Sequence, residues 1–213
     1  MSPHTQPIAS GIYLVIDPAM AEPILLEKLQ VILTRNIAAV QIWDNFDEVA
    51  NKLALIKKIH TLCAAKQVPV LINNQWEILK TVALEGVHFD KTPLNIDVIR
   101  KEITPNALMG LTCGNDLDVV HWAAHHQMDY ISFCSMFPSS SADNCEIISH
   151  ETIKKAAQIF KQPLFLAGGI HPENIKALKT LDFDGIAVIS GIMNAEHPDE
   201  AIDTYTNHLK TIA

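Results

Sequence analysis

Positive charge is scarce in this chain. Sixteen Lys and Arg stand against 24 Asp and Glu, the formal net charge is −8, and no basic run exceeds the pairs Lys57-Lys58 and Lys154-Lys155. Binding to nucleic acid without regard to sequence relies on Lys and Arg neutralising phosphates, so no nucleic-acid partner is expected. No apolar stretch approaches the roughly 18 residues of a spanning helix, and the opening Met1-Ser2-Pro3-His4 is neither basic nor apolar. A cytoplasmic protein with no membrane association is the expectation. Cys63, Cys113, Cys134 and Cys145 lie far apart with no C-x-x-C, which argues against a disulfide framework or a zinc knuckle and for reduced thiols. No Gly-, Ser- or Pro-rich linker divides the 213 residues, so one domain is expected over 1–213, with its core from about 11 to 210.

What is present is a rhythm of short apolar runs. They fall at Gly11–Ile16, Ala38–Trp43, Pro69–Asn73, Gly86–Phe89, Ala107–Cys113, Tyr130–Met136, Pro163–Ala167 and Gly185–Ser190, eight in all. Val70-Leu71-Ile72 and Ile186-Ala187-Val188-Ile189 are apolar at consecutive positions, as strands covered on both faces of a parallel sheet require. Between the runs lie helical spacings such as Leu53, Ile56, Ile59, Leu62 and Ile175, Leu178, Leu181. Each βα unit then takes about 27 residues, close to a compact repeat with short loops. An open doubly wound sheet would also alternate strand and helix, but no G-x-G-x-x-G follows the first run. The fold class expected is therefore α/β, a single-domain (β/α)₈ TIM barrel.

Candidate chemistry gathers after the seventh and eighth runs. Leu166-Ala167-Gly168-Gly169-Ile170-His171-Pro172 and Val188-Ile189-Ser190-Gly191 put glycines where backbone N–H groups can face a ligand, and barrels commonly hold phosphate there. Gly168-Gly169 would also serve as a plain tight turn. On the phosphate reading, Gly169→Val abolishes phosphomonoester binding and leaves the fold largely intact. The longest irregular stretch, 138–145, follows the sixth run, on the side where barrel active sites lie. His121 and His125 have a metal-binding spacing but fit a solvated helix face. His88 ends a strand and suits either a base or a buried hydrogen-bonded imidazole. Cys113 and Cys134 read as inert core thiols, and Trp43 as either a stacking platform or packing.

Several of these segments together resemble the thiamine phosphate synthase and thiazole tautomerase family. They are Gly11 through Pro18, Ala39-Val40-Gln41, Val70 through Asn73, Gly86-Val87-His88, Phe133 through Pro138, Gly168-Gly169-Ile170 with Pro172-Glu173-Asn174, and Ile186 through Ile192. The resemblance implies a barrel of thiamine biosynthesis in which a pyrimidine methyl diphosphate is joined to a thiazole phosphate, with magnesium on the departing diphosphate. It matches the thiazole-phosphate side to Ser139, Ser141, Gly168, Gly169 and Ser190 with Gly191. It matches the pyrimidine side to Gln41 and Asn73, and the fifth-strand hydroxyl to Thr112.

The diphosphate half departs from that pattern. The family's Q-x-R-x-K reads Gln41-Ile42-Trp43-Asp44-Asn45 here, and its N-D-R reads Asn73-Asn74-Gln75. The carboxylate due after His88 is missing, with Asp90 out of step before Lys91-Thr92-Pro93, and the lysine after the hydroxyl pair is Ala142. Both carboxylates expected to hold magnesium are thus absent, no metal ligand is assigned, and no catalytic residue is named. The tautomerase's histidine falls at Gly114. Three readings stay open: a phosphomonoester-binding barrel with synthase-type transfer, a binding or regulatory barrel without catalysis, and a thiazole phosphate isomerase. Nothing in the sequence specifies an oligomeric state.

Overall fold

The computed structural model describes residues 8–47, 49–138 and 146–212. Eight parallel strands close in sequence order into a barrel: β1 (Gly11–Ile16), β2 (Ala39–Ile42), β3 (Val70–Asn73), β4 (Gly86–Phe89), β5 (Leu108–Cys113), β6 (Tyr130–Phe133), β7 (Leu164–Ala167) and β8 (Gly185–Val188). Gly11 pairs with Gly185 and Tyr13 with Ala187, so the first strand zips onto the last. This is a (β/α)₈ TIM barrel, as expected, with the runs at Gly11–Ile16 and Gly86–Phe89 kept whole and the other six shorter by one to three residues.

The two-residue period of a strand splits the apolar residues into two cores. One set, including Ile12, Leu14, Val40, Ile72, Met109, Ile131 and Leu166, points outward and packs under the helices. The other, Tyr13, Val15, Ala39, Leu71, Leu108, Tyr130 and Phe165, fills the barrel interior. Its three aromatic rings meet at centroid distances of 5.4 to 5.9 Å, with Tyr130 edge-on to Phe165. Their bulk is matched by small neighbours: a Cβ on Gly110 would lie 2.0 Å from Tyr130 Cζ.

The covering helices are α1 (Glu22–Ile32), α2 (Lys52–Ala64), α3 (Ile96–Glu102), α4 (Leu117–His125), α5 (His150–Ile159), α6 (Ser190–Met193) and α7 (Pro198–Lys210). Two crossovers are only 3₁₀ turns, Trp76–Lys80 after β3 and Ile175–Leu178 after β7. The spacing of Ile175, Leu178 and Leu181 by three, read above as α-helical, suits the three residues per turn of a 3₁₀ helix, and all three are buried. Spacing by three also drifts off an α-helix. In α2 the buried face is Leu55, Ile56, Ile59 and Cys63, while Leu53 is 38% exposed. No described helix is long and apolar enough to cross a membrane.

Candidate functional site

A cavity of about 520 Å³ opens at the C-terminal ends of the strands. Gln41, Asn73, His88, Thr112 and Ser132 all line it, because each has the inward parity of its strand and stands one pleat beyond the aromatic layer. Gln41, Asn73, His88 and Ser132 are buried, and Thr112 is half-buried. Every one is hydrogen-bonded, as buried polar groups must be.

The bonds form a single chain across the barrel. Asn73 Nδ2 donates to Asp90 Oδ2 at 2.9 Å, and Gln41 Nε2 donates to Asn73 Oδ1 at 2.5 Å. Tyr13 donates its hydroxyl to Gln41 Oε1 at 2.8 Å and meets the Tyr130 hydroxyl at 2.7 Å. Tyr130 lies 2.8 Å from His88 Nδ1, and His88 Nε2 lies 2.8 Å from Thr112 Oγ1. Ser132 Oγ stands 3.4 Å from Thr112 Oγ1. Burial pushes the His88 imidazole down to about 4, with the Asp90 charge offsetting part of the shift. Burial also pushes both Tyr13 and Tyr130 up, so histidine and tyrosines are neutral near pH 7.

The opposite wall is backbone. Gly168 (φ +86°) and Gly169 (φ +63°) follow β7 in the left-handed region that glycine tolerates. Asn174 braces this loop, accepting from the His171 N–H at 2.9 Å and donating to the Gly169 carbonyl at 2.8 Å. The Tyr205 hydroxyl of α7 ties the next residue, donating to the Ile170 carbonyl at 3.0 Å. The N–H groups of Gly169, Ser190 and Gly191 donate to no acceptor among the described residues. All three residues line the cavity.

The glycine pair has a second constraint that the sequence does not show. A Cβ on Gly169 would lie 2.5 Å from the Pro138 carbonyl oxygen, and one on Gly168 would lie 2.3 Å from Ser135 N. The loops after β6 and β7 are therefore packed backbone to backbone. Gly169→Val is expected to lower the melting temperature as well as weaken anion binding, so the largely intact fold anticipated above carries a stability cost. A left-handed β-branched residue and the clash together cost on the order of 2 kcal/mol or more, readable by thermal unfolding.

Of the sequence candidates, Gln41, Asn73, Thr112, Gly168, Gly169, Ser190 and Gly191 come together around the cavity. Ser139 and Ser141, with Ala142 and Cys145, lie outside the described residues. His121 and His125 sit exposed on α4, away from the mouth. Cys113 is buried outside the barrel interior and its thiol is pushed up to about 12 by burial, whereas Cys134, read as a core thiol, lines the cavity. Trp43 lines the cavity half-buried. Sequence reading missed Tyr13, Tyr130, Ser132 and Asp90 as parts of the polar chain. Strand parity was the available signal for two of them, since Ser132 stands two residues after Tyr130 and Asp90 two after His88.

Asp90 and its neighbours also define what stands where a diphosphate site is expected. Asn74, itself left-handed at φ 54°, donates from Nδ2 to Asp44 and to Asp90 at 2.8 Å each. Asn45 donates to Asp17 at 3.0 Å. No Lys or Arg is among the described residues lining the cavity.

Fold and mouth together define a (β/α)₈ barrel whose C-terminal cavity lies between a neutral polar chain and two glycine loops. The chain belongs to the thiamine monophosphate synthase family, whose model matches residues 12–192. It is 30% identical over 196 residues to the thiamine-phosphate synthase of Prochlorococcus marinus subsp. pastoris, covering 91% of this chain and 54% of that protein. It thus spans about half the length of that relative. The thiamine-phosphate synthase of Clostridium tetani is 27% identical over 204 residues, covering 95% of this chain and 97% of that one. Among solved structures, thiamine phosphate pyrophosphorylase from Pyrococcus furiosus shares the fold with a TM-score of 0.78 at 22% identity, over 95% of this chain and 96% of that one.

Proposed function

We propose that this chain is a thiamine phosphate synthase-like protein of thiamine biosynthesis that binds a thiazole phosphate, or a phosphomonoester of similar size, at the barrel mouth. The phosphate lies against Gly168-Gly169 and Ser190-Gly191, and the ring faces the Gln41, Asn73 and Thr112 side. The observation that carries this reading is the set of unclaimed N–H groups at Gly169, Ser190 and Gly191, converging on one cavity from two loops. With no lysine or arginine in the described lining, an anion there depends on backbone donors.

The family resemblance also implies magnesium on the diphosphate of a second substrate. The residues present do not fit it. Magnesium takes hard oxygen ligands, usually including a carboxylate, with near-octahedral geometry. Here the Asn74 amide points its hydrogens at Asp44 and Asp90, placing a donor between the two carboxylates. Among the described residues no group of three or more His, Cys, Asp and Glu side chains is placed to hold a metal. This supports a mouth whose phosphomonoester half is retained and whose diphosphate half is degenerate.

Calorimetry with the thiazole phosphate and with the unphosphorylated thiazole alcohol tests the reading. Each charge-assisted hydrogen bond is worth about 1.5–3 kcal/mol, so the alcohol is expected to bind at least about tenfold more weakly, with no dependence on magnesium. Equal affinities, or a phosphate-soaked structure with side chains filling the loop pocket, would refute it.

A further inference from the structure

The hydrogen-bond chain across the mouth has only one self-consistent direction. Asp90, as a carboxylate, can only accept, so Asn73 must turn its amide nitrogen toward it and its oxygen toward Gln41. Gln41 then uses its nitrogen on Asn73 and presents its oxygen to Tyr13, whose hydroxyl must donate there. Having donated its one hydrogen, Tyr13 accepts from Tyr130, and Tyr130 in turn accepts from His88. The imidazole is thereby left with its proton on Nδ1 and a lone pair on Nε2, which accepts from the Thr112 hydroxyl.

We propose that Asp90 is a positioning residue that sets the tautomer of His88 through the Asn73, Gln41, Tyr13 and Tyr130 links, and so decides which hydrogen-bonding face the mouth shows a ligand. With the chain running this way, the Thr112 hydrogen points at His88 and its oxygen can only accept, from Ser132 Oγ at 3.4 Å and from a ligand. Gln41, with one amide hydrogen spent on Asn73, keeps the other to donate. Reversing the chain would protonate His88 on Nε2, make Thr112 accept from it, and free the Thr112 hydrogen to donate to a ligand. The selected ligand is one that places an N–H or O–H group against Thr112. This holds whether or not that ligand carries a phosphate, so it stands apart from the proposed function. Each bond polarises the next, which is how a carboxylate at the rim acts on an imidazole five bonds away.

The test is a long-range ¹H–¹⁵N correlation spectrum of the full chain with ¹⁵N-histidine, His88 being assigned by loss of its signals in His88→Gln. The wild type is expected to show a protonated Nδ1 and an unprotonated Nε2. Asp90→Lys replaces an obligate acceptor by an obligate donor at an exposed position and is expected to move the His88 signals toward the Nε2-protonated form. Asp90→Ala, which imposes no direction, is expected to give a mixture of tautomers and serves if the lysine variant does not fold. A purely structural role for Asp90 would not move the tautomer. A wild-type imidazole protonated on Nε2, or a folded Asp90 variant with the wild-type signals, overturns the proposal.

Discussion

Turnover of the pyrimidine methyl diphosphate with thiazole phosphate and magnesium is expected to be weak or absent. The positions where the family resemblance places cations hold Trp43 and Asn45, and Ala142 follows the hydroxyl pair. Asn45 and Asn74 give their hydrogens to Asp17, Asp44 and Asp90, so this side of the mouth is a set of carboxylates held by neutral amides. Three lost charge-assisted bonds to the leaving diphosphate amount to about 4–9 kcal/mol if additive, or roughly 10³- to 10⁶-fold in rate. Lys91 is not in the cavity lining and borders an adjoining groove that shares Asp90 with it. Pyrophosphate release is the readout, and a kcat in the usual range of about 1–10³ s⁻¹ would defeat this expectation. Trp43→Arg, Asn45→Lys and Asn74→Asp combined should raise the rate if the missing charges are its cause. No gain would point to a different second substrate.

Folding stability is expected to fall by about 3 kcal/mol as pH drops from the ordinary histidine range through the folded pKa of His88. The native imidazole is held at about 4, against 6.5 for a free side chain. Between those values the unfolded chain binds a proton that the native protein refuses, so acid favours unfolding. The full stability contributed by the neutral form is present above about pH 6.5 and is lost progressively down to about pH 4. Urea unfolding at a series of pH values measures the slope, and His88→Gln isolates it, because glutamine does not titrate there. A wild-type and variant pair with equal slopes would show that His88 is not a buried neutral imidazole.

Much of this molecule was legible because strands and glycine turns are local. Val70-Leu71-Ile72 reads as a strand buried on both faces whatever it pairs with, since consecutive apolar residues leave no face for water. Gly168-Gly169 and Ser190-Gly191 announced their place by following the seventh and eighth runs, whereas Gln41, Asn73 and Thr112 were singled out through the family resemblance. Trp43 and Asn74 were legible as departures from the family pattern because that pattern is a run of a few consecutive residues.

Tertiary structure decided the rest. Whether eight strands close or stay open depends on Gly11 meeting Gly185, a contact that no periodicity encodes. Tyr13 and Tyr130 read as core residues in an apolar strand, and they are. Their hydroxyls become links in a polar chain only because closure brings together side chains 117 positions apart in sequence. Gly169 likewise showed its backbone freedom in the sequence, but its contact with the Pro138 carbonyl exists only when the two loops pack. Alternation and turn chemistry act over a few residues and so leave their mark in the chain. The direction of a hydrogen bond, and with it the tautomer of His88, depends on which distant partner has already donated, and the folded barrel alone determines that.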